Sequence, residues 1–236
     1  MATASETIIG AYRELNLRAA GQALTSVQET EGLELLNEII PATLGQEAGQ
    51  EYCDLNIGGE YDDDIIWEWV PENVRLVINA GAQSTLKLHP KPYDGQRVAV
   101  SDPNNNLAAA NLTLDGNGRS IEGAATLVLS TDGLDAEWMY RADLGDWVRI
   151  TNLIASDDLP FPRDFDAYFR ILLAMRLAPR HGRDLAQSSA VYLQSMDGKI
   201  QARYRRPRDQ QDWGSLGLLG QRQTFLDGQF ARWRGF

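Results

Sequence analysis

The stretch KPYDGQRVAVSDPNNNLAAANLTLDGNGRSIEGAATLVLS, residues 91–130, decides how this chain is divided. Apolar residues alternate with polar ones in short runs, as at Val98 and Val100 or at Leu112 and Leu114, and clusters of Asp, Asn, Gly and Pro separate the runs. Such alternation between turn-forming residues is typical of β-strands. The segments before and after have helical spacing, so the sequence predicts a β-region within an otherwise helical chain.

The period of two extends over residues 71–150. Seven short runs fit it: NVRLVIN, TLKL, QRVAV, NLTL, ATLVLS, AEWMYR and DWVRI. Seven short strands separated by turns are the pattern of an antiparallel sandwich or barrel. The DGNG segment is predicted to be a hairpin turn in which Gly116 and Gly118 supply positive φ angles.

Apolar residues at helical spacing predict helices on both sides of the β-region. Before it, the second helix is expected to begin at Ser26, with Glu29 as its capping-box partner, and to end at Pro41. After it, two further helices are expected. The apolar residues that define the four helical faces are Ile8, Ile9, Tyr12 and Leu15; Leu33, Leu36, Ile39 and Ile40; Phe165, Phe169, Leu172 and Leu173; and Leu185, Tyr192, Met196 and Ile200.

Two helices alone cannot bury their apolar stripes, so the helices on the two sides are predicted to pack together. The predicted fold class is therefore α+β: a helical bundle formed by N- and C-terminal halves and interrupted by an antiparallel β-sandwich or barrel. The predicted parts are residues 1–70 and 151–206 for the two halves of the bundle, 71–150 for the β-insertion and 207–236 for an extended C-terminal arm.

The net charge of −11 is unevenly distributed. Residues 1–160 hold 9 Lys and Arg against 26 Asp and Glu, whereas residues 161–236 hold 13 against 7. An acidic surface repels nucleic-acid phosphates, while the basic part could attract an acidic protein or DNA. No apolar run is long enough for a membrane helix, and the N-terminal residues lack the pattern of a secretory signal. No membrane partner is expected.

The sequence favours a protein without catalytic activity. The carboxylates at residues 62–64 and Glu68 are adjacent in sequence, but adjacency does not supply the separation that a hydrolase needs across its cleft. His89 and His181 are predicted at the ends of a strand and a helix, and the single cysteine, Cys53, is expected to be a small buried apolar residue. No cofactor and no metal site are predicted.

Basic and aromatic residues concentrate towards the C-terminus. The predicted basic contact cluster consists of Arg203, Arg205, Arg206 and Arg208, and the arm adds Trp213, Phe225, Phe230, Arg232, Trp233 and Phe236. This composition suits binding to nucleic acid. It equally suits docking on an acidic protein, because Trp and Arg are the usual hot spots of protein interfaces.

Two helical segments carry a resemblance to a known family. Residues 11–40, with a turn at Gly21 and a capped helix holding a Leu-Leu-Asn step at 35–37, resemble the N-terminal hairpin of the head-to-tail adaptors of short-tailed bacteriophages. Residues 159–185 contain LAMRLAPRHG, which is similar to the family's Leu-Ala-x-Arg-Leu-Ala-Pro-x-Tyr-Gly. His181 stands where a tyrosine is common.

The β-region resembles a small module found in many phage structural proteins. The similar residues are Pro92, Asp94, Gly95, Val98, Asp102, Leu112, Thr113, Leu114, Asn117, Gly118, Ile121, Glu122 and Gly123. With the helical segments, the resemblance covers about two-thirds of the chain; residues 42–70 and the arm match no motif.

The resemblance implies a structural virion protein, a portal-binding connector of the packaged-DNA-stabilisation type. Such adaptors form a ring, typically of twelve copies, beneath the portal protein ring. They extend the DNA channel, through which packaged DNA passes without sequence-specific binding, and they receive the tail nozzle and tail fibre proteins. The expected location is the head-to-tail junction of the virion, after synthesis in the host cytoplasm, and the arm is expected to lie along the portal.

Three alternatives stay open. In the first, the β-region is a fibre-side or receptor-binding module that binds a glycan or a partner protein, and the helices attach it. A tail-associated hydrolase would depend on Asp63 or Glu68. A DNA-binding protein would depend on Arg203, Arg205 and Arg206 and would show a steep dependence of affinity on salt.

Overall fold

The computed structural model describes residues 2–19, 21–47, 52–58, 69–79 and 84–205. Within them the chain forms four α-helices and nine β-strands in a mixed α/β arrangement. The helices are α1 (Ala4–Glu14), α2 (Ser26–Ala42), α3 (Asp166–Leu177) and α4 (Gln187–Tyr204). The strands are β1 (Cys53–Ile57), β2 (Val74–Ile78), β3 (Ser84–Lys87), β4 (Arg97–Ser101), β5 (Leu112–Asp115), β6 (Ser120–Ile121), β7 (Thr126–Leu129), β8 (Asp135–Arg141) and β9 (Asp146–Arg149).

The strands form two sheets, one of six strands in the order β1-β2-β4-β8-β9-β6 and one of three in the order β3-β5-β7. From β2 to β8 the chain alternates between the two sheets. Strands two apart in sequence therefore become neighbours, and the pairs β2–β4 and β3–β5 are parallel. The β1–β2 and β6–β9 pairs are parallel as well, whereas β4–β8, β8–β9 and β5–β7 are antiparallel. The parallel strands are arranged as in a β-solenoid.

The predicted fold class, a helical bundle interrupted by an antiparallel sandwich or barrel, is therefore wrong. All seven predicted runs are strands, but their pairing differs. Alternation of apolar and polar residues specifies that a strand has two unlike faces. It does not specify which strand lies beside it or in which direction that neighbour runs. The prediction assumed that successive strands pair with each other, but from β2 to β8 successive strands lie in different sheets.

Two hydrophobic clusters occupy the interior. One lies between the sheets and contains the large side chains of Trp138 and Trp147. The other contains apolar residues from all four helices, with Tyr12 and Phe169 among the largest that are fully buried. Strand β8 contributes to both clusters, because Trp138 belongs to the cluster between the sheets and its neighbour Met139 belongs to the cluster of the helices.

The helices approach closely where small residues allow it. A Cβ atom added to Gly32 of α2 would lie 2.5 Å from Cγ2 of Ile8 in α1, so the absence of a side chain there permits this packing.

Met1–Arg205 forms one compact unit. The proposed divisions at residues 70, 150 and 206 stay predictions. Among the described residues, no helix is both long and apolar enough to cross a membrane.

Several local predictions are corrected. The capping box of α2 is formed by Thr25 and Gln28, one residue earlier than expected, and α2 continues through Pro41 to a π-helical turn at Thr43–Glu47. Strands β1 and β6 were not predicted. Cys53, expected to be buried, is exposed at the start of β1.

The DGNG segment does not form a hairpin. It joins β5 to β6, which lie in different sheets. Positive φ angles occur at Asn117 (52°) and Gly118 (86°) but not at Gly116. The Asn117 N–H is held by the Asp115 carboxylate at 2.8 Å, as in an Asx turn.

Candidate functional site

The end of α4 is fixed to the β-region by one carboxylate, that of Asp94. The Arg203 Nε donates to Asp94 Oδ2 at 3.0 Å, and the backbone N–H of Ala142 donates to Asp94 Oδ1 at 3.0 Å. Asp94 lies in the turn before β4, and Ala142 lies in the turn between β8 and β9. We call Asp94, Gly95, Ala142, Arg203 and Tyr204 the arm base. The name refers to Arg203 and Tyr204, which lie shortly before the predicted arm in sequence.

A close approach between Gly95 and Tyr204 forms the second part of the arm base. Gly95 has a φ of 89°, and a Cβ atom added there would lie 2.5 Å from Cδ1 of Tyr204. Tyr204 is fully buried and its ring meets that of Phe161 edge-on at 5.5 Å between centroids. Burial raises the pKa of Tyr204, so its phenol stays protonated.

Beside the arm base lies a second ion pair. Arg141, which is buried, donates from Nη2 to Asp143 Oδ2 at 2.5 Å and from Nε to Asp143 Oδ1 at 3.1 Å. The hydrogen bond from Arg141 lowers the pKa of Asp143 more strongly than the opposing effect of burial raises it. The carboxylate therefore stays ionised and compensates the buried guanidinium.

The predicted basic contact cluster is only partly within the described residues. Arg203 is engaged with Asp94, whereas Arg205 is exposed at the end of α4 with an extended backbone. Arg206 and Arg208 lie outside the described residues, as do Trp213, Phe225, Phe230, Arg232, Trp233 and Phe236. Their roles stay predictions.

Glu31 joins the hairpin of α1 and α2 to the turn after α3. Its carboxylate accepts a hydrogen bond from the Tyr12 hydroxyl at 2.9 Å and lies 3.3 Å from both Arg180 Nη1 and His181 Nε2. Burial raises the pKa of Glu31, but hydrogen bonds from Tyr12 and Arg180 and the proximity of His181 outweigh it, so the pKa is lowered overall. His181, which stands where the resemblance leads us to expect a tyrosine, thus contacts the first helical segment.

A third polar cluster is centred on Glu137 in β8. Arg97 Nη2 lies 2.6 Å from Glu137 Oε2, and the Tyr52 hydroxyl donates to the same oxygen at 3.0 Å. The guanidinium of Arg97 also stacks over the Tyr52 ring at 4.3 Å from its centroid. In the sequence, the only sign of this cluster is a charged residue within each of two predicted strands, Arg97 in QRVAV and Glu137 in AEWMYR. Both residues are buried.

The residues of the β-region that carry the resemblance to the phage module stabilise the fold. The buried carboxylate of Asp102 accepts backbone N–H groups from Asn106, Leu107 and Gly133. The Glu122 carboxylate accepts the Trp138 indole N–H at 2.8 Å. Two of the residues that carry this part of the resemblance, Asp102 and Glu122, thus hold the fold of the β-region.

A cleft of about 530 Å³ lies beside β9. Its exposed apolar residues are Leu144 and Ile154, which are 49% and 60% accessible, and charged side chains such as Arg149 and Asp158 also line it. The carboxylates of residues 62–64 and Glu68, on which the hydrolase alternative depends, lie outside the described residues. Within the described part of the chain, no group of three or more His, Cys, Asp or Glu side chains is arranged to hold a metal ion.

Comparison with known proteins gives no assignment. No protein-family model matches this chain. No curated protein sequence matches it either. The resemblance to head-to-tail adaptors therefore stays a hypothesis that depends on the segments quoted above.

Proposed function

We propose that this protein is a structural adaptor at the head-to-tail junction of a short-tailed bacteriophage, and that it acts by assembly and not by catalysis. One observation carries the proposal: the two segments that resemble the adaptor family, residues 11–40 and 159–185, pack against each other although the whole β-region separates them in sequence. At their junction His181 and Arg180 of the second segment contact Glu31 of the first, although His181 replaces the tyrosine of the motif and Arg180 stands at one of its variable positions.

The Leu-Leu-Asn step supports the same interpretation. Leu35 and Leu36 are buried in the helical cluster. Asn37 exchanges two hydrogen bonds with the backbone of Leu153, in the loop that leads to α3. A motif that holds the two helical segments in a fixed relation is what a rigid ring subunit requires.

The charge distribution also supports the proposal. The net charge of −11 suits a wall along which packaged DNA slides without being bound. We propose that about twelve copies form the ring, a number that the family resemblance implies, and that the β-region receives the tail nozzle or fibre proteins. The arm, with its anchors Trp213, Phe225, Phe230, Arg232, Trp233 and Phe236, docks on the portal.

Native mass spectrometry of the chain mixed with the portal ring of the same phage tests the proposal. The expected result is a complex that holds a fixed multiple of this chain, matched to the portal's symmetry. A variant lacking residues 207–236 should fold but leave the portal bare. If the full-length chain stays free at concentrations well above those in an infected cell, the adaptor function is wrong.

One observation favours a second candidate function, a fibre-side or receptor-binding module. The cleft beside β9 combines exposed apolar side chains with charged ones, a combination found in ligand sites. Binding of a host-surface glycan that is lost on Ile154→Asp substitution, together with a bare portal ring, would establish this alternative in place of the adaptor.

A further inference from the structure

We propose that Asp94 and Gly95 are positioning residues for portal docking: they hold the last turn of α4 on the β-region and thereby fix the point from which the arm departs. This inference rests on the proposed function, because it concerns how the arm reaches the portal.

The first argument is the number of elements that Asp94 connects. Its two carboxylate oxygens bind two different partners, the Arg203 side chain and the Ala142 backbone N–H, both at 3.0 Å. Ala142 N–H fixes the carboxylate relative to β8 and β9, so the carboxylate is oriented before it binds the helix. A charge-assisted bond to an oriented acceptor restrains Arg203 more than a pair between two mobile surface side chains does.

The second argument is independent of charge. Tyr204 lies over Gly95 so closely that no other residue fits there without displacing the ring. The ring also contacts Phe161 and Phe165 of the helical cluster. The last helical turn is therefore held from one side by the β-region and from the other by the helices.

The third argument is the position of this contact along the chain. Helix α4 ends at Tyr204, and Arg205 already has an extended backbone, with φ −61° and ψ 133°. The predicted arm begins two residues later. If the last turn came free, several more residues would become mobile ahead of the arm, and its effective concentration at the portal would fall.

Two single variants, Asp94→Asn and Arg203→Gln, test the proposal in the full-length chain. Each should weaken portal binding by at most roughly tenfold, because the bond lies within the subunit and its full worth is lost to binding only if the last turn of α4 comes free. The double variant should bind no more weakly than either single variant, because both remove the same contact. The matched control is Arg170→Gln, since Arg170 Nε pairs with Glu14 at 3.3 Å and its side chain is 41% exposed, against 34% for that of Arg203.

Trypsin gives a local readout that does not depend on the portal. Asp94→Asn should speed cleavage after Arg203 and Arg205, while cleavage elsewhere and the thermal midpoint stay near those of the wild type. Arg170→Gln should leave cleavage after Arg203 and Arg205 unchanged.

The two hypotheses fail in different ways. If wild-type protein binds the portal and Asp94→Asn binds equally well, the positioning role is wrong and the adaptor function stands. If wild-type protein does not bind the portal, the adaptor function is wrong. Unchanged cleavage after Arg203 in Asp94→Asn overturns the fixed arm base itself.

Discussion

Asn37 in α2 and Leu153 in the loop before α3 exchange a pair of hydrogen bonds. The Leu153 N–H donates to Asn37 Oδ1 at 2.8 Å, and Asn37 Nδ2 donates to the Leu153 carbonyl at 3.2 Å. The two residues are 116 positions apart, and Leu153 is nearly buried. One amide side chain therefore satisfies both backbone polar groups of a buried residue.

Asn37→Ala should destabilise the protein by about 2–3 kcal/mol, because it leaves both backbone groups of Leu153 without these partners. Urea unfolding followed by circular dichroism measures the loss. Asn104→Ala, in the exposed loop after β4, is the control and should change the free energy of unfolding by less than about 0.5 kcal/mol. Equal effects of the two substitutions would contradict the role of Asn37.

Glu31 should make the protein less stable in acid. Its pKa lies below the ordinary value of 4.5 in the folded state, so the unfolded chain binds a proton more readily. The stabilisation is therefore present above about pH 4.5 and is lost as the pH falls through the folded-state pKa. Urea midpoints measured from about pH 7 to about pH 3 should show a shallower acid decline for Glu31→Gln than for the wild type.

Glu34→Gln provides the comparison, because Glu34 lies on the same helix and is exposed. Its acid decline should match that of the wild type. A decline for Glu31→Gln as steep as the wild-type one would mean that other carboxylates, such as Asp143, account for the acid sensitivity.

Two glycines with almost the same φ angle separate backbone strain from side-chain crowding. Gly95 and Gly118 have φ of 89° and 86°, but an added Cβ meets Tyr204 at Gly95 and nothing within 4 Å at Gly118. Gly118→Ala should cost about 1 kcal/mol from the φ angle alone, and Gly95→Ala about 2–4 kcal/mol, since the Tyr204 ring must also shift. Thermal and urea unfolding measure both; similar losses would show that Tyr204 moves freely.

The sequence located most strands but not their arrangement. QRVAV and AEWMYR were both recognised by alternation, yet only the structure shows that Val98 pairs with Trp138 across an antiparallel ladder while Val74 pairs with Val98 in a parallel one. Strand β1, CDLNI, gave a weak signal because only Leu55 is buried in it. Pairing depends on connections between sheets, and a local pattern contains no information about them.

The arm base shows the same limit at the level of single residues. Arg203 was identified by its place in a run of arginines. Its partner Asp94 is 109 residues away, and the sequence indicates it only as one of the residues that resemble the phage module. The sequence shows which residues carry a charge. Which residue of opposite charge lies beside each of them is decided by the tertiary fold.

The pair of Arg97 and Glu137 should be among the most costly to break. Arg97 is only 3% exposed, and its guanidinium has Glu137 Oε2 at 2.6 Å and the Tyr52 ring above it. Burial raises the pKa of Tyr52, which therefore stays protonated and donates to the same carboxylate. Glu137→Ala removes the acceptor of both groups and leaves a buried cation, so we expect a loss of about 3–5 kcal/mol in the free energy of unfolding.

Glu14→Ala is the control, because Glu14 pairs with Arg170 at 3.3 Å near the surface and should cost no more than about 1 kcal/mol. Replacing both buried partners, as Arg97→Met with Glu137→Leu, should recover most of the loss, since the charge that still loses Glu137, that of Arg75 at 4.0 Å, is 38% exposed. Urea unfolding of Arg97→Met, of Glu137→Leu and of the double variant measures the coupling. If Glu137→Ala unfolds at the same urea concentration as Glu14→Ala, solvent reaches Arg97 and the cluster adds no more stability than a surface ion pair.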